Sequence, residues 1–67
     1  MKIKIENILT KIREIRKKKG YKQAAIAEEL GISQSTYAKI EKGQQKLSLE
    51  TFLSISQILS VTPTDIL

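Results

Sequence analysis

Hydrophobic residues recur along this chain at the spacing of helices, and short segments with glycine or polar residues separate them. The first group has Ile8, Ile12 and Ile15 at positions i, i+4 and i+7. This spacing predicts an amphipathic helix over residues 7–19, with Asn7 as its N-cap. The glycine directly after that segment is placed to end the helix in a left-handed conformation. Nothing in the pattern indicates a strand.

Capping residues and glycines predict four more helices. The second occupies the segment from Gln23 to Gly31, and Ser33 is a suitable N-cap for a third helix over residues 34–42. Ser48 caps a fourth helix with a broad apolar face. The fifth is short and begins at the single proline, at the first helical position. The sequence therefore predicts an all-α, compact five-helix fold.

One core must hold these helices together, because 67 residues make a single domain, predicted over residues 1–67. The hydrophobic residues of the fourth helix, among them Phe52, supply a large part of that core. Ala27 is expected where the second and third helices cross closely. Gly31 is expected to adopt a positive φ in the turn between them, where a β-branched residue would not fit.

Composition excludes several classes of function. The chain contains no cysteine and no histidine, which removes disulfides, thiolate metal sites, the commonest metal ligand and the usual general base. We expect no metal, no cofactor and no enzymatic activity. The lack of cysteine also favours a cytoplasmic protein.

Positive charge is concentrated in the first third of the chain. Residues 1–22 hold nine Lys or Arg and two Glu, a net charge of +7, whereas residues 23–67 carry −2. Such asymmetry indicates a polyanionic partner, either nucleic acid or an anionic membrane surface. The membrane alternative is the weaker one, because Ile8, Ile12 and Ile15 are needed for the core and cannot also face lipid. The chain has neither a segment long enough to span a membrane nor the apolar start of a signal peptide.

The most informative segment covers residues 23–42, in which two short helices flank Gly31-Ile32-Ser33. It closely resembles the helix-turn-helix of the lambda repressor and Cro type, also called the XRE family. The resemblance extends over nearly all of the chain from Ile8 onward. Its flanks agree too, in Ile12-Arg13-Glu14-Ile15-Arg16, in Lys39-Ile40-Glu41-Lys42-Gly43 and in Pro63-Thr64-Asp65-Ile66-Leu67.

The resemblance implies that the third helix lies in the major groove of double-stranded DNA and that its outward side chains meet base edges. Gln34 stands where the family's first base-reading residue usually lies, and its amide can pair with adenine. Gln23 matches a position that binds a backbone phosphate in the family. The full set of expected contacts comprises Gln34, Ser35, Ala38 and Lys39 for bases, and Gln23, Lys22, Lys42, Gln44 and Lys46 for phosphates.

Other noticeable residues receive structural interpretations. In this family the residues matching Arg16 and Glu41 tend to form an ion pair that ties the first helix to the third. Tyr37 replaces a smaller buried aliphatic residue, so we expect it in the core, where its hydroxyl needs a partner or an opening to water. Lys22 stands where the family has a Ser or Thr cap. The lysines at positions 17–19 are interpreted as a solvated face outside the site.

These features predict a sequence-specific transcriptional regulator, a repressor that binds a palindromic operator as a homodimer and acts in the cytoplasm, at the nucleoid of a bacterium or phage-infected cell. Val61, Ile66 and Leu67, with part of the fourth helix, are candidates either for the dimer surface or for completing the core. Alternative functions are an antitoxin with a toxin partner and a restriction-modification controller. A protein-protein interaction module on the same fold is an alternative of a different class.

Overall fold

The computed structural model describes residues 3–67 of the predicted domain and contains five helices in that range. Short turns connect them, and the longest connection leads from the third helix to the fourth. Along the chain the helices are α1 (Ile5–Lys18), α2 (Gln23–Leu30), α3 (Gln34–Glu41), α4 (Leu49–Ile58) and α5 (Pro63–Ile66). The all-α prediction is confirmed.

The start of α1 differs from the prediction. The helix begins at Ile5 with Lys4 as its N-cap, and the Lys4 side chain makes no capping hydrogen bond. Asn7 is therefore not an N-cap: it lies inside the first turn, where its N–H donates to the Lys4 carbonyl at 3.1 Å. Glu6 in the same turn compensates in part, because a carboxylate near a helix N-terminus is favourable.

Side-chain caps fix the starts of α3 and α4 as predicted. The hydroxyls of Ser33 and Ser48 each accept a hydrogen bond at 3.1 Å from the N–H three residues later. At α5 the Asp65 carboxylate accepts bonds from the N–H and the hydroxyl of Thr62, both at 2.9 Å. These local bonds set where the helices begin, and thereby set how α3 is presented.

The turn between α2 and α3 depends on Gly31, which has φ +73°. An added Cβ there would meet no atom within 4 Å, so a side chain would not be crowded. Glycine is favoured because of the positive φ alone. Gly31 N–H and Ile32 N–H donate back to carbonyls of α2, which closes the turn tightly. Within residues 3–67, Ser60 is the one non-glycine residue with positive φ, at 58°, and it directly follows Leu59, the C-cap of α4.

The core lies where α2 and α4 pack together, with α1, α3 and α5 around them. Ile26, Tyr37, Ile55 and Leu59 are completely buried, and Ala27 is 2% exposed. Tyr37 thus packs in the core as predicted. The other buried apolar side chains of the cluster are Ile12, Phe52 and Ile66. No described helix has the length and apolar character needed to cross a membrane.

Candidate nucleic-acid interface

The two sides of α3 differ sharply in exposure. Tyr37, Ile40 and Glu41 face the interior and are buried. On the outward side Gln34, Ser35 and Lys39 are exposed, Ala38 is half-buried, and Lys42 continues the same side as the exposed C-cap residue. The base-reading residues predicted from the sequence therefore lie together on one surface of one helix.

A buried ion pair anchors the other side of α3. Arg16 on α1 donates from Nε to Glu41 Oε2 at 2.7 Å and from Nη2 to Glu41 Oε1 at 3.2 Å. Its third nitrogen, Nη1, donates to the Tyr21 carbonyl at 2.9 Å. The expected structural pairing of Arg16 with Glu41 is present, and its two-point geometry fixes both the position and the orientation of the carboxylate.

Two further side chains join this ion pair. Gln23 donates from Nε2 to Glu41 Oε1 at 3.1 Å, which links the start of α2 to the end of α3. Arg13 donates from Nη2 to the main-chain carbonyl of Glu41 at 2.9 Å, and its Nε lies 3.9 Å from Glu41 Oε1. Glu41 thus holds α1, α2 and α3 in a fixed relation. We call these four residues, Arg13, Arg16, Gln23 and Glu41, the Glu41 network.

Glu41 is negatively charged in this network. Burial opposes its ionisation, but the hydrogen bonds from Arg16, the nearby Tyr37 hydroxyl and the hydrogen bond from Gln23 together outweigh burial and hold the pKa of this carboxyl below its usual value. Close by, burial, the approach of the Glu41 carboxylate to the hydroxyl and the negative charge of that carboxylate raise the pKa of Tyr37, so its hydroxyl stays protonated. That hydroxyl is buried and has no hydrogen-bond partner within the described residues.

The N-terminus of α2 lacks a side-chain cap. Lys22 is the N-cap residue, it makes no capping hydrogen bond, and the first turn contains no acidic residue. The Lys22 side chain is exposed, whereas the Gln23 side chain is half-buried and already donates to Glu41. The uncapped amides and the macrodipole leave positive potential at this helix end.

The loop after α3 carries the remaining predicted phosphate contacts. Gly43 has φ +77°, and the N–H of Gln44 donates to the Lys39 carbonyl at 2.8 Å, so the chain turns sharply away from α3. Lys42, Gln44 and Lys46 are all exposed. The structure therefore presents these side chains beside the carboxyl end of α3.

Sequence reasoning missed Arg13 as part of this region. Arg13 and Arg16 are three residues apart on α1 and share one of its faces. That spacing is the signal that could have identified Arg13. The link from Gln23 to Glu41 had no comparable signal, because the two residues are 18 positions apart and meet only through tertiary packing.

Solved structures share this architecture. The restriction-modification controller protein C.AhdI from Aeromonas hydrophila superposes with a TM-score of 0.84 at 27% identity, covering 94% of this chain and 96% of that one. The clp gene regulator ClgR from Corynebacterium glutamicum gives the same TM-score of 0.84 at 22% identity, over 98% of this chain and 71% of that one. The latter likeness concerns the fold alone.

The five helices, with α2 and α3 joined by a tight glycine turn, define a helix-turn-helix domain. Residues 12–66 match the family model described as "Helix-turn-helix". The chain belongs to this family, in its XRE-type branch, as the sequence resemblance predicted.

Two curated relatives come from Bacillus subtilis (strain 168). The HTH-type transcriptional regulator AnsR is 36% identical over 59 residues, 88% of this chain and 51% of AnsR. The uncharacterized HTH-type transcriptional regulator YgzD is 36% identical over 56 residues, 84% of this chain and 85% of YgzD. The chain thus spans about half the length of AnsR and most of YgzD.

Proposed function

We propose that this chain is the DNA-binding domain of a transcriptional regulator, a repressor that occupies a palindromic operator as a dimer in the cytoplasm, at the nucleoid. The observation that carries the proposal is the outward side of α3. It presents exposed polar and cationic side chains, while the Glu41 network fixes the opposite side. A rigid helix with one polar side exposed fits the major groove, which admits a single α-helix.

Base reading is assigned to the outward residues of α3. Gln34, in the first turn, is exposed, and its side-chain amide can form a bidentate pair with adenine. The amide NH2 group donates to adenine N7, and the amide oxygen accepts from the N6 amino group. Ser35 lies beside it, with its Oγ 3.3 Å from Ser33 Oγ. Ala38 can contact a thymine methyl, and Lys39 can reach guanine or a phosphate.

Phosphate binding is assigned to the two ends of the motif. Lys22 and Gln23 stand at the uncapped start of α2, where free amides and the helix dipole attract an anion. Lys42, Gln44 and Lys46 stand beyond the end of α3 and are exposed. Contacts of this kind fix the register of the protein on the duplex without reading its sequence.

Dimerisation is assigned to the apolar side chains that the fold leaves uncovered. Ile66 is 1% exposed and Val61 is half-buried against the core, so these two residues complete the core. Leu49 and Leu53, one turn apart on α4, remain 71% and 45% exposed. We assign them, with the exposed Leu67, to contact with a second copy, because one such module covers too little DNA for useful specificity.

Affinity selection from a random duplex library tests the proposal. We expect enrichment of a palindromic sequence whose binding weakens steeply with salt. Gln34→Ala should then cost about 1 to 3 kcal/mol on that sequence and little on unrelated DNA. The matched control is Gln57→Ala, which removes an exposed amide from α4. Failure to enrich any sequence would point instead to a protein-protein interaction module.

Sedimentation equilibrium with and without the selected duplex tests the dimer. Replacing Leu49 and Leu53 together by Gln should abolish the dimer and reduce occupancy of the full palindrome, while binding to a single half-site stays unchanged. Ile3→Gln, at another exposed apolar residue, is the control. An unaltered dimer in the double variant would place the interface elsewhere.

A restriction-modification controller is a second candidate, because C.AhdI matches this chain over 96% of its own length with a TM-score of 0.84. The selected operator distinguishes the two candidates by its position. Operators in front of restriction and modification genes would support the controller function, and operators elsewhere would support a general repressor. An antitoxin with a toxin partner has no observation in its favour within residues 3–67 and is left out of the proposal.

A further inference from the structure

Arg13 occupies a position that the assigned phosphate contacts do not include. Its guanidinium is fixed at the carboxyl end of α3 by the 2.9 Å bond from Nη2 to the Glu41 carbonyl. The loop that carries Lys42, Gln44 and Lys46 begins at this same end of the helix. Gln23, at the start of α2, binds the side chain of the same glutamate. Arg13 is therefore tied, through Glu41, to the ends of α2 and α3 that carry the residues assigned to phosphates.

The Arg13 guanidinium retains unused hydrogen-bonding capacity. Arginine carries five N–H donors, and a single hydrogen bond from Arg13, the one to the Glu41 carbonyl, is found within the described residues. The 3.9 Å separation between Nε and Glu41 Oε1 is too long for another one. Because the side chain is 40% exposed, the remaining donors are accessible from solvent.

The charge balance around Glu41 also favours an anion. Arg13 and Arg16 lie 3.9 and 2.7 Å from the Glu41 carboxylate, and no other carboxylate forms an ion pair with either arginine within residues 3–67. The exposed Lys42 follows Glu41 in the chain. Arg16 satisfies that carboxylate through two hydrogen bonds at 2.7 and 3.2 Å. The positive charges of Arg13 and Lys42 are left without an equally close counter-charge within residues 3–67, and a phosphate oxygen would supply it.

We propose that Arg13 binds a DNA backbone phosphate at the carboxyl end of α3, next to the phosphate contacted by Lys42. The inference rests on the proposed function and adds α1 to the DNA-binding surface. The bond to the Glu41 carbonyl holds the guanidinium in place before DNA arrives, so little side-chain freedom remains to be lost on binding. Such a contact contributes affinity and salt dependence but no sequence preference.

The test measures the dissociation constant of the selected duplex across a series of salt concentrations for the wild-type chain and three variants. Arg13→Gln removes the charge, and Arg13→Lys keeps it. Lys11→Gln is the control: it also removes one positive charge from α1, but Lys11 lies two residues from Arg13, roughly 200° around the helix and so on about the opposite side. Thermal unfolding of each variant is recorded in parallel.

We expect Arg13→Gln to weaken binding on the order of tenfold and to lower the slope of log K against log salt by about 0.9 per bound subunit. Arg13→Lys should keep the slope, and Lys11→Gln should change it by much less. Replacing the contacted phosphate of the duplex by an uncharged methylphosphonate should weaken wild-type binding by the same factor. Binding of Arg13→Gln should not be weakened further by that replacement.

Two outcomes would overturn the inference, and they can be distinguished. If the wild type binds its operator with steep salt dependence and Arg13→Gln leaves the slope unchanged, Arg13 merely caps α3 and the inference alone fails. A lowered melting temperature with an unchanged slope leads to the same conclusion. If the wild type shows no salt-dependent binding to any duplex, the proposed function fails and the inference fails with it.

Discussion

Glu41 joins α1, α2 and α3 through hydrogen bonds. Its carboxylate accepts hydrogen bonds from Arg16 and Gln23, and its main-chain carbonyl accepts one from Arg13. Because a buried pair gains little net stability once desolvation is counted, its value here lies in orientation. Its bonds tie the carboxyl end of α3 to α1 and α2.

The pKa of Glu41 gives a direct test at this scale. A folded-state pKa held below the unfolded value of about 4.3 means that the ion pair stabilises the fold above that pH. This contribution is lost as the pH falls through the folded-state pKa. An NMR titration of the Glu41 side-chain carboxyl carbon should therefore give a midpoint below about 4.3. A midpoint at or above that value would contradict the hydrogen-bond arrangement described for the network.

The Tyr37 hydroxyl supports a second prediction. It is buried and lies close to the Glu41 carboxylate, but it makes no hydrogen bond of good geometry within residues 3–67, and an unpaired buried hydroxyl costs about 1 to 3 kcal/mol. Tyr37→Phe should therefore leave the free energy of unfolding in denaturant unchanged or raise it by about 1 kcal/mol. Tyr21→Phe, at a half-buried tyrosine, is the control. A clear loss of stability in Tyr37→Phe would show that the hydroxyl is hydrogen-bonded in solution.

At the scale of elements, α2 differs from α3 and α4 in its first residue. The N-cap residues Lys22, Ser33 and Ser48 have nearly the same backbone conformation, with φ from −72° to −85° and ψ from 154° to 159°. Only the two serines accept a capping hydrogen bond among these three. The backbone of α2 is thus ready for a cap that its sequence does not provide.

Lys22→Ser should supply that cap. We expect it to raise the free energy of unfolding by about 0.5 to 1 kcal/mol, because the serine oxygen can accept from the Ala24 N–H, or from the Ala25 N–H that now donates to the Lys22 carbonyl at 3.1 Å. The same change at Lys18, in the last turn of α1, should lower stability slightly. If Lys22 contacts a phosphate, Lys22→Ser will also lower the salt slope of DNA binding. Equal effects of the two changes on stability would refute the capping argument.

The same elements show what sequence could predict and why. The starts of α3 and α4 were predictable because each cap acts over three residues of chain. The start of α1 was not, because Lys4 makes no side-chain bond that would mark it. The outward side of α3 followed from helical periodicity. The bonds from Gln23 and Arg13 to Glu41 did not, because they span 18 and 28 residues and depend on how the helices pack.

At the scale of the whole molecule, function and stability draw on different parts of the chain. The excess positive charge lies in residues 1–22 and the helix proposed to face DNA lies within residues 23–42, whereas α4 contributes mainly to the core. The Glu41 network is the physical link between the charged α1 and the recognition surface. The proposed DNA contacts therefore depend on the placement of α3, so a defect in the core should weaken DNA binding without changing any residue of α3.

Phe52→Ala tests this coupling. Truncating a buried phenylalanine costs about 3 to 5 kcal/mol, and a domain of this size is stable by only about that amount, so the variant should be largely unfolded by circular dichroism at 25 °C. Because operator DNA binds the folded state only, saturating duplex should restore helical signal by mass action. Phe52→Leu, which keeps most of the volume, should stay folded without DNA. Full helicity of Phe52→Ala without DNA would mean that the 9% exposed ring contributes less to the core than its position implies.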